Sequence, residues 1–177
     1  MAEDVGLGEV IEFMRLLWAV DHGLEASSKQ MDTQLGVTGP QRLVIRIVGK
    51  HPGISAGQLA EILHVHPSTL TGVLGRLAER GLVTRKVDPT DARRALFSLT
   101  ANGRKLDEVK TGTIESKVRR ALSKLPAREV ASARKVLSAL ADALAPSAKP
   151  APGGKPRNGR ARGEKAERSA SRRPRAA

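Results

Sequence analysis

The side chains best equipped for chemistry lie between residues 64 and 94. Ser68, Thr69, Thr71 and Arg76 supply three hydroxyls and a guanidinium, Gly72 and Gly75 stand among them, and Arg93 and Arg94 follow the carboxylates Asp88 and Asp91. Hydroxyls and guanidinium groups bond phosphate oxygens and base edges, and small neighbours let a helix approach a groove closely. This set suits nucleic acid better than bond breaking. No Ser/His/Asp order, P-loop, HExxH or GxGxxG is found, and with no cysteine there are no thiolate metal sites, cysteine nucleophiles or thiol switches. His64 and His66 stand two apart without acids at ligand spacing, so a turn residue or a phosphate partner is the better reading than a metal ligand. No catalytic residue, metal or cofactor is expected, and the chain is not expected to be an enzyme.

Those residues need a helix and a hairpin to carry them. At 100° per residue, Leu70, Val73, Leu74 and Leu77 fall on one stripe of PSTLTGVLGRLAERGLV, opposite Ser68, Thr71, Gly72, Gly75 and Arg76. Pro67 suits a first helical position and Gly81 ends the helix. An ordinary surface helix would show the same stripe, with glycines that cost about 1 kcal/mol each and do nothing. Upstream, TGPQ at Thr38–Gln41 and SAGQ at Ser55–Gln58 fit the capping box, marking two helix starts. The first helix carries Leu43, Val44, Ile47 and Val48 and stops at HPG; the second carries Leu59, Ala60, Ile62 and Leu63. Arg42, Arg46 and Lys50 form a separate stripe, read as a solvated face in preference to a phosphate contact. Two short helices joined by the HVH turn make a helix-turn-helix.

Downstream, Leu82–Val87, the turn DPTD and Ala95–Leu99 read as a β-hairpin. Its tip places Arg93 and Arg94 beside Asp88 and Asp91, so that a carboxylate can hold an arginine in one orientation; such a tip fits a narrow A·T-rich minor groove, or is simply a solvated turn. Thr100 should cap a helix running to about Leu122 with a kink at Gly112, and Pro126 a last helix through Leu144 whose face is too rich in Ala and Leu to stay exposed. At the other end, Glu9 to Met31 is a long amphipathic helix in which Ile11 and Trp18 widen the apolar stripe. It packs on its own domain or on a second copy, and the two are compatible.

Composition agrees. The 177 residues, 40% hydrophobic, can bury one core. A net charge of +13 points to a polyanion, yet the segment 145–177 alone holds ten Lys or Arg and two Glu, a net +8, leaving +5 for residues 1–144. That segment lacks large apolar residues and is expected to be a disordered basic tail adding salt-sensitive, sequence-blind affinity. With no Tyr, one Trp and two Phe, base-stacking platforms are scarce, so duplex DNA is favoured over RNA. No apolar run nears the roughly 20 residues that span a bilayer, and the acidic start lacks the basic and apolar regions of a secretory signal, so a cytoplasmic, nucleoid-associated protein without a membrane partner is expected.

PSTLTGVLGRLAERGLV followed by DPTDARRALFSLTANG resembles, in order and spacing, the MarR family of bacterial winged-helix regulators, over roughly residues 9–144. The resemblance implies a mainly α fold with a small β-hairpin wing. Residues 1–37 and 101–144 would be dimerisation helices and residues 38–100 the winged helix-turn-helix. It further implies a homodimer on a pseudo-palindromic operator, acting as a repressor. Carried over by position, Ser68, Thr69, Thr71, Gly72 and Arg76 are recognition-helix residues; Asp91, Arg93 and Arg94 belong to the wing, where the aspartate orients the arginine for the minor groove. His66 departs from a usual capping Ser, and Gly72 and Gly75 from larger residues, which implies a softer or more shape-dependent operator preference. Many relatives are released by small anionic aromatic ligands; Trp18 and His22, with Arg85 as counter-charge, are the candidates for such a pocket, although Trp18 as a core or dimer contact is the stronger reading. An architectural protein that coats DNA with the same winged helix and the tail is the competing class.

Overall fold

Two capping boxes start the helices around which the core forms. Thr38 Oγ1 accepts from the Gln41 amide while the Gln41 side chain accepts from the Thr38 amide, and Ser55 and Gln58 repeat the pattern. In the computed structural model, which describes residues 6–144, the elements run α1 (Leu7–Leu35), α2 (Gly39–Lys50), β1 (Ile54–Ser55), α3 (Ala56–Leu63), α4 (Pro67–Glu79), β2 (Val83–Asp88), β3 (Asp91–Leu99), α5 (Ala101–Glu108), α6 (Ile114–Leu122) and α7 (Ala127–Leu144). The segment expected to be a basic tail, residues 145–177, lies outside the described residues.

The core joins α2, α3 and α4 to the inner face of the sheet: Val44, Ile45, Val48, Leu59, Leu74 and Leu77 pack with Val83, Phe97 and Leu99. On α2 the buried stripe begins at Gln41 and continues through Val44, Ile45 and Val48, so Ile45 is fully buried while Leu43, expected inside, is 51% exposed. Ile62 likewise faces outward on α3. Both expectations used the right period and a register shifted by one or two residues.

The sheet has the order β1-β3-β2, all antiparallel. β1 went unread because two residues carry no alternation; it is held by the pairings Ile54↔Phe97 and Ser55↔Leu96. β3 begins at Asp91, four residues before the expected Ala95, so Arg93 and Arg94 sit in the strand beside the turn and point to opposite faces.

The junction of β3 and α5 admits no side chain at residue 103. The Thr100 hydroxyl donates to the Gly81 carbonyl at 2.6 Å and accepts from the Gly103 amide at 3.0 Å. A Cβ on Gly103 would stand 2.0 Å from the Leu82 carbonyl oxygen, so only glycine lets the first turn of α5 lie against the backbone at Leu82.

The helix expected from Thr100 to about Leu122 is two helices. α5 stops at Glu108, Gly112 adopts φ +70, and Thr113 caps α6 by accepting from the Ser116 amide at 3.2 Å. A helix end leaves carbonyls without partners, and here a buried arginine from α2 takes them. Arg42, read as part of a solvated face, is 2% exposed: it donates through Nη1 to the Leu106 carbonyl, through Nη2 to the Val109 carbonyl at 2.7 Å, and through Nε to Glu115 at 2.7 Å. Arg46 adds a 2.7 Å ion pair with Asp107. The α2 stripe therefore ties the helix-turn-helix to the α5–α6 break.

Only Met31 of α1 is buried, and none of α6 or α7. Val10, Phe13, Met14, Trp18 and Val20 on α1, and Leu137 and Leu144 on the α7 face expected to be covered, are exposed in the single chain.

Candidate nucleic-acid interface

α4 is held by its apolar stripe: Leu70, Val73, Leu74 and Leu77 are all buried, which leaves Ser68, Thr69, Thr71, Gly72, Gly75 and Arg76 exposed on the other side. The helix start is fixed by a residue that stands, by the resemblance, where a capping Ser is usual. His66 is the N-cap; its Nδ1 accepts from the Ser68 amide at 3.2 Å and lies 2.7 Å from Ser68 Oγ. Imidazole Nδ1 occupies the place of the side-chain oxygen of an Asn or Asp cap. The signal was Pro67, since a proline at the first helical position makes residue 66 the cap.

The Thr71 hydroxyl donates back to the Pro67 carbonyl at 3.1 Å. Arg76 extends toward Gly72, whose notional Cβ would meet only Arg76 Nη1, at 4.0 Å, and nothing lies within 4 Å of one on Gly75. Among the described residues nothing therefore requires glycine at these two positions. Among the described residues no hydrogen bond or ion pair engages the guanidinium of Arg76.

In the wing, Asp88 Oδ1 accepts from the Thr90 amide at 2.9 Å and the Thr90 hydroxyl at 2.7 Å. Those two bonds, the hydroxyl first, hold the Asp88 carboxyl below its ordinary range, with Arg94 a smaller contributor. The Asp91 carboxylate accepts from the backbone amide of Arg93 at 3.0 Å, so it fixes the chain at Arg93 and leaves the guanidinium unheld. Among the described residues no carboxylate pairs with that guanidinium. Arg94 Nε stands 3.9 Å from Asp88 Oδ2, a loose pair.

Among the described residues no three metal-ligating side chains come together. His64 ends α3 in the left-handed region, and its ring lies 3.5 Å from Asp142 on α7. Trp18 and His22 do share a concavity of about 510 Å³ with Ile11, Met14, Arg15 and Ala19. All six belong to α1, Trp18 is 74% exposed, and Arg85, on β2, is not among them. One helix cannot enclose a ligand.

The MarR family profile matches residues 35–94, the stretch from the end of α1 through the wing. An HTH-type transcriptional repressor of Mycobacterium tuberculosis is 28% identical over 140 residues, covering 79% of this chain and 96% of its own. The organic hydroperoxide resistance transcriptional regulator of Bacillus subtilis is 33% identical over 93 residues, 52% of this chain; the match spans 63% of that relative's length. Among solved structures, a mutant MarR from E. coli complexed with operator DNA superposes with a TM-score of 0.62 at 27% identity, over 75% of this chain and 95% of that one. Over residues 35–94 the chain is similar to the MarR family. Its helices and three-stranded sheet have the winged-helix fold of that MarR structure, with α4 as the second helix of the helix-turn-helix and β2–β3 as the wing.

Proposed function

We propose that this chain is a MarR-family transcription regulator, a repressor, that binds a pseudo-palindromic duplex operator as a homodimer. The observation that carries the reading is α4 itself: one face is sealed into the core, while the other offers Ser68, Thr69, Thr71 and Arg76 with nothing packed over them. Beside it the wing offers Arg93 and Arg94 on a turn stiffened by Asp88 and Asp91. On this reading residues 38–100 read DNA and residues 1–37 and 101–144 form the dimer stem, which supplies a cover for Phe13, Trp18 and Leu137. Two copies related by a two-fold axis set half-sites about one helical turn apart. Residues 145–177, net +8, add affinity without sequence preference.

Footprinting on genomic fragments tests it. Protection of a palindrome of about two helical turns that survives excess nonspecific DNA supports the regulator. Protection spreading evenly supports the architectural reading instead, which the open glycines at 72 and 75 and the basic segment favour. Release by a small anionic aromatic ligand belongs to the proposal as well. Trp18 is the single tryptophan, so benzoate binding beside Trp18 and His22 in the dimer should quench its fluorescence and lower operator affinity together. Benzoate that changes neither removes this pair from the effector role.

A further inference from the structure

We infer that Ser68 and Thr71, at the start of α4, are fixed as hydrogen-bond acceptors and thereby select bases whose major-groove edge carries an amino group. This rests on the reading of α4 as the DNA-facing helix. A backbone amide can only donate, so the His66 Nδ1 that receives the Ser68 amide at 3.2 Å offers its lone pair, and the ring proton sits on Nε2. The hydroxyl of Ser68, closer at 2.7 Å, then has one role open to it: its single proton points at Nδ1. One turn on, the Thr71 hydroxyl has spent its proton on the Pro67 carbonyl at 3.1 Å. Both residues are exposed, and each oxygen keeps lone pairs that can still accept.

A free serine hydroxyl discriminates poorly, because it donates or accepts as the base requires. Fixed as acceptors, Ser68 Oγ and Thr71 Oγ1 match adenine N6 and cytosine N4, the amino donors of the major groove, and repel guanine O6, thymine O4 and phosphate. Donation to guanine or phosphate falls to the Thr69 hydroxyl and to Arg76, further along the helix. His66 is thus a positioning residue, acting on base choice through Ser68.

Selection from a random duplex pool, using the full chain, tests this with four proteins: wild type, Ser68→Ala, His66→Ala and His66→Asn. Wild type should enrich A or C about fivefold at one position in each half-site, the scale of a single neutral hydrogen bond. Ser68→Ala should abolish that enrichment while leaving the other positions intact. His66→Ala frees the Ser68 proton and should flatten the same position, whereas His66→Asn, whose Oδ1 takes both hydrogen bonds, should restore it. A nitrogen-15 spectrum at pH 8 should show His66 Nδ1 without a proton. Enrichment of G or T there, selections indistinguishable among the four proteins, or a proton on Nδ1 would each overturn the inference. A wild-type chain that selects no duplex at all would instead overturn the reading of α4 on which it rests.

Discussion

Arg42 and Arg76 look alike in the sequence. Each lies on a polar stripe of a short helix in the helix-turn-helix, three or four residues from the apolar positions that hold the helix in place. Their fates are opposite. Arg42 is buried, with Glu115 and the carbonyls that end α5 taking its donors, while Arg76 stands in solvent. A cation is available to DNA only where the fold supplies no anion or helix end to consume it. What distinguishes the two arginines is thus a partner 73 positions away in the chain, and not the helix on which each sits.

Arg42→Ala should have the largest effect, and it should fall on stability. Removing the guanidinium strips the Val109 carbonyl of its donor and leaves Glu115 only the 3.9 Å approach of Arg46; Glu115 is about one-third exposed, so the cost falls near the lower end of what a broken buried pair costs, about 3 kcal/mol. Urea unfolding measures it, and the fraction that remains folded should bind DNA as wild type does. Arg42→Lys should rescue little, because an ammonium cannot reach three acceptors set in different directions. An Arg42→Ala protein of wild-type stability with weakened DNA binding would reverse the contrast.

Arg76→Ala should show the mirror image. Its stability should stay within about 0.5 kcal/mol of wild type, as for an unengaged surface residue. Operator affinity should fall by about 1–3 kcal/mol with loss of preference at one base pair if the arginine reads guanine, or evenly across sequences with a salt slope smaller by about one if it holds phosphate. Affinity unchanged at low salt would remove Arg76 from the interface.

Gly72 and Gly75 sharpen the same contrast, since nothing among the described residues needs them. Alanine at either should stabilise α4 by about 1 kcal/mol in thermal melts, the ordinary helix-propensity gain. If the helix lies close against DNA, the same substitutions should weaken operator binding severalfold. Equal binding with higher stability would show that the glycines serve neither fold nor interface.

Local signals were the legible ones. The two capping boxes, Pro67 at the start of α4, the Leu70–Leu77 stripe and the turn at Asp88–Asp91 each lie within a few residues, and each forms as their chemistry dictates. Partners distant in sequence left no such mark. Nothing near Arg42 announces the α5 terminus, nothing near Leu82 announces that Gly103 must pass it without a Cβ, and β1 is too short to have a period. Gly112 was legible as a weak point, but whether a helix kinks or breaks depends on whether its free carbonyls find a donor, and Arg42 supplies one. On the outer face of α4, identities were readable and protons were not: the donations from Ser68 and Thr71 emerge only once the helix start is placed.

The smallest expected effect lies in the wing, where an acid rather than a base is internally engaged. The Asp88 carboxyl is held below its ordinary range by the Thr90 hydroxyl and amide, so the folded state keeps its proton off more readily than the unfolded chain does. A lowered folded value contributes stability that is complete above the unfolded carboxylate range and lost as pH falls through the folded value. Amide exchange at Thr90 should therefore keep its protection from pH 7 down to about 5, where an unfolded aspartate is still ionised, and lose it only in stronger acid, below about 4. Asp88→Ala should remove that protection at every pH, because the Thr90 amide then has no carboxylate to bond. Loss of protection between pH 7 and 6 in the wild-type wing would mean that some group other than Asp88 holds the turn in which Arg93 and Arg94 are set.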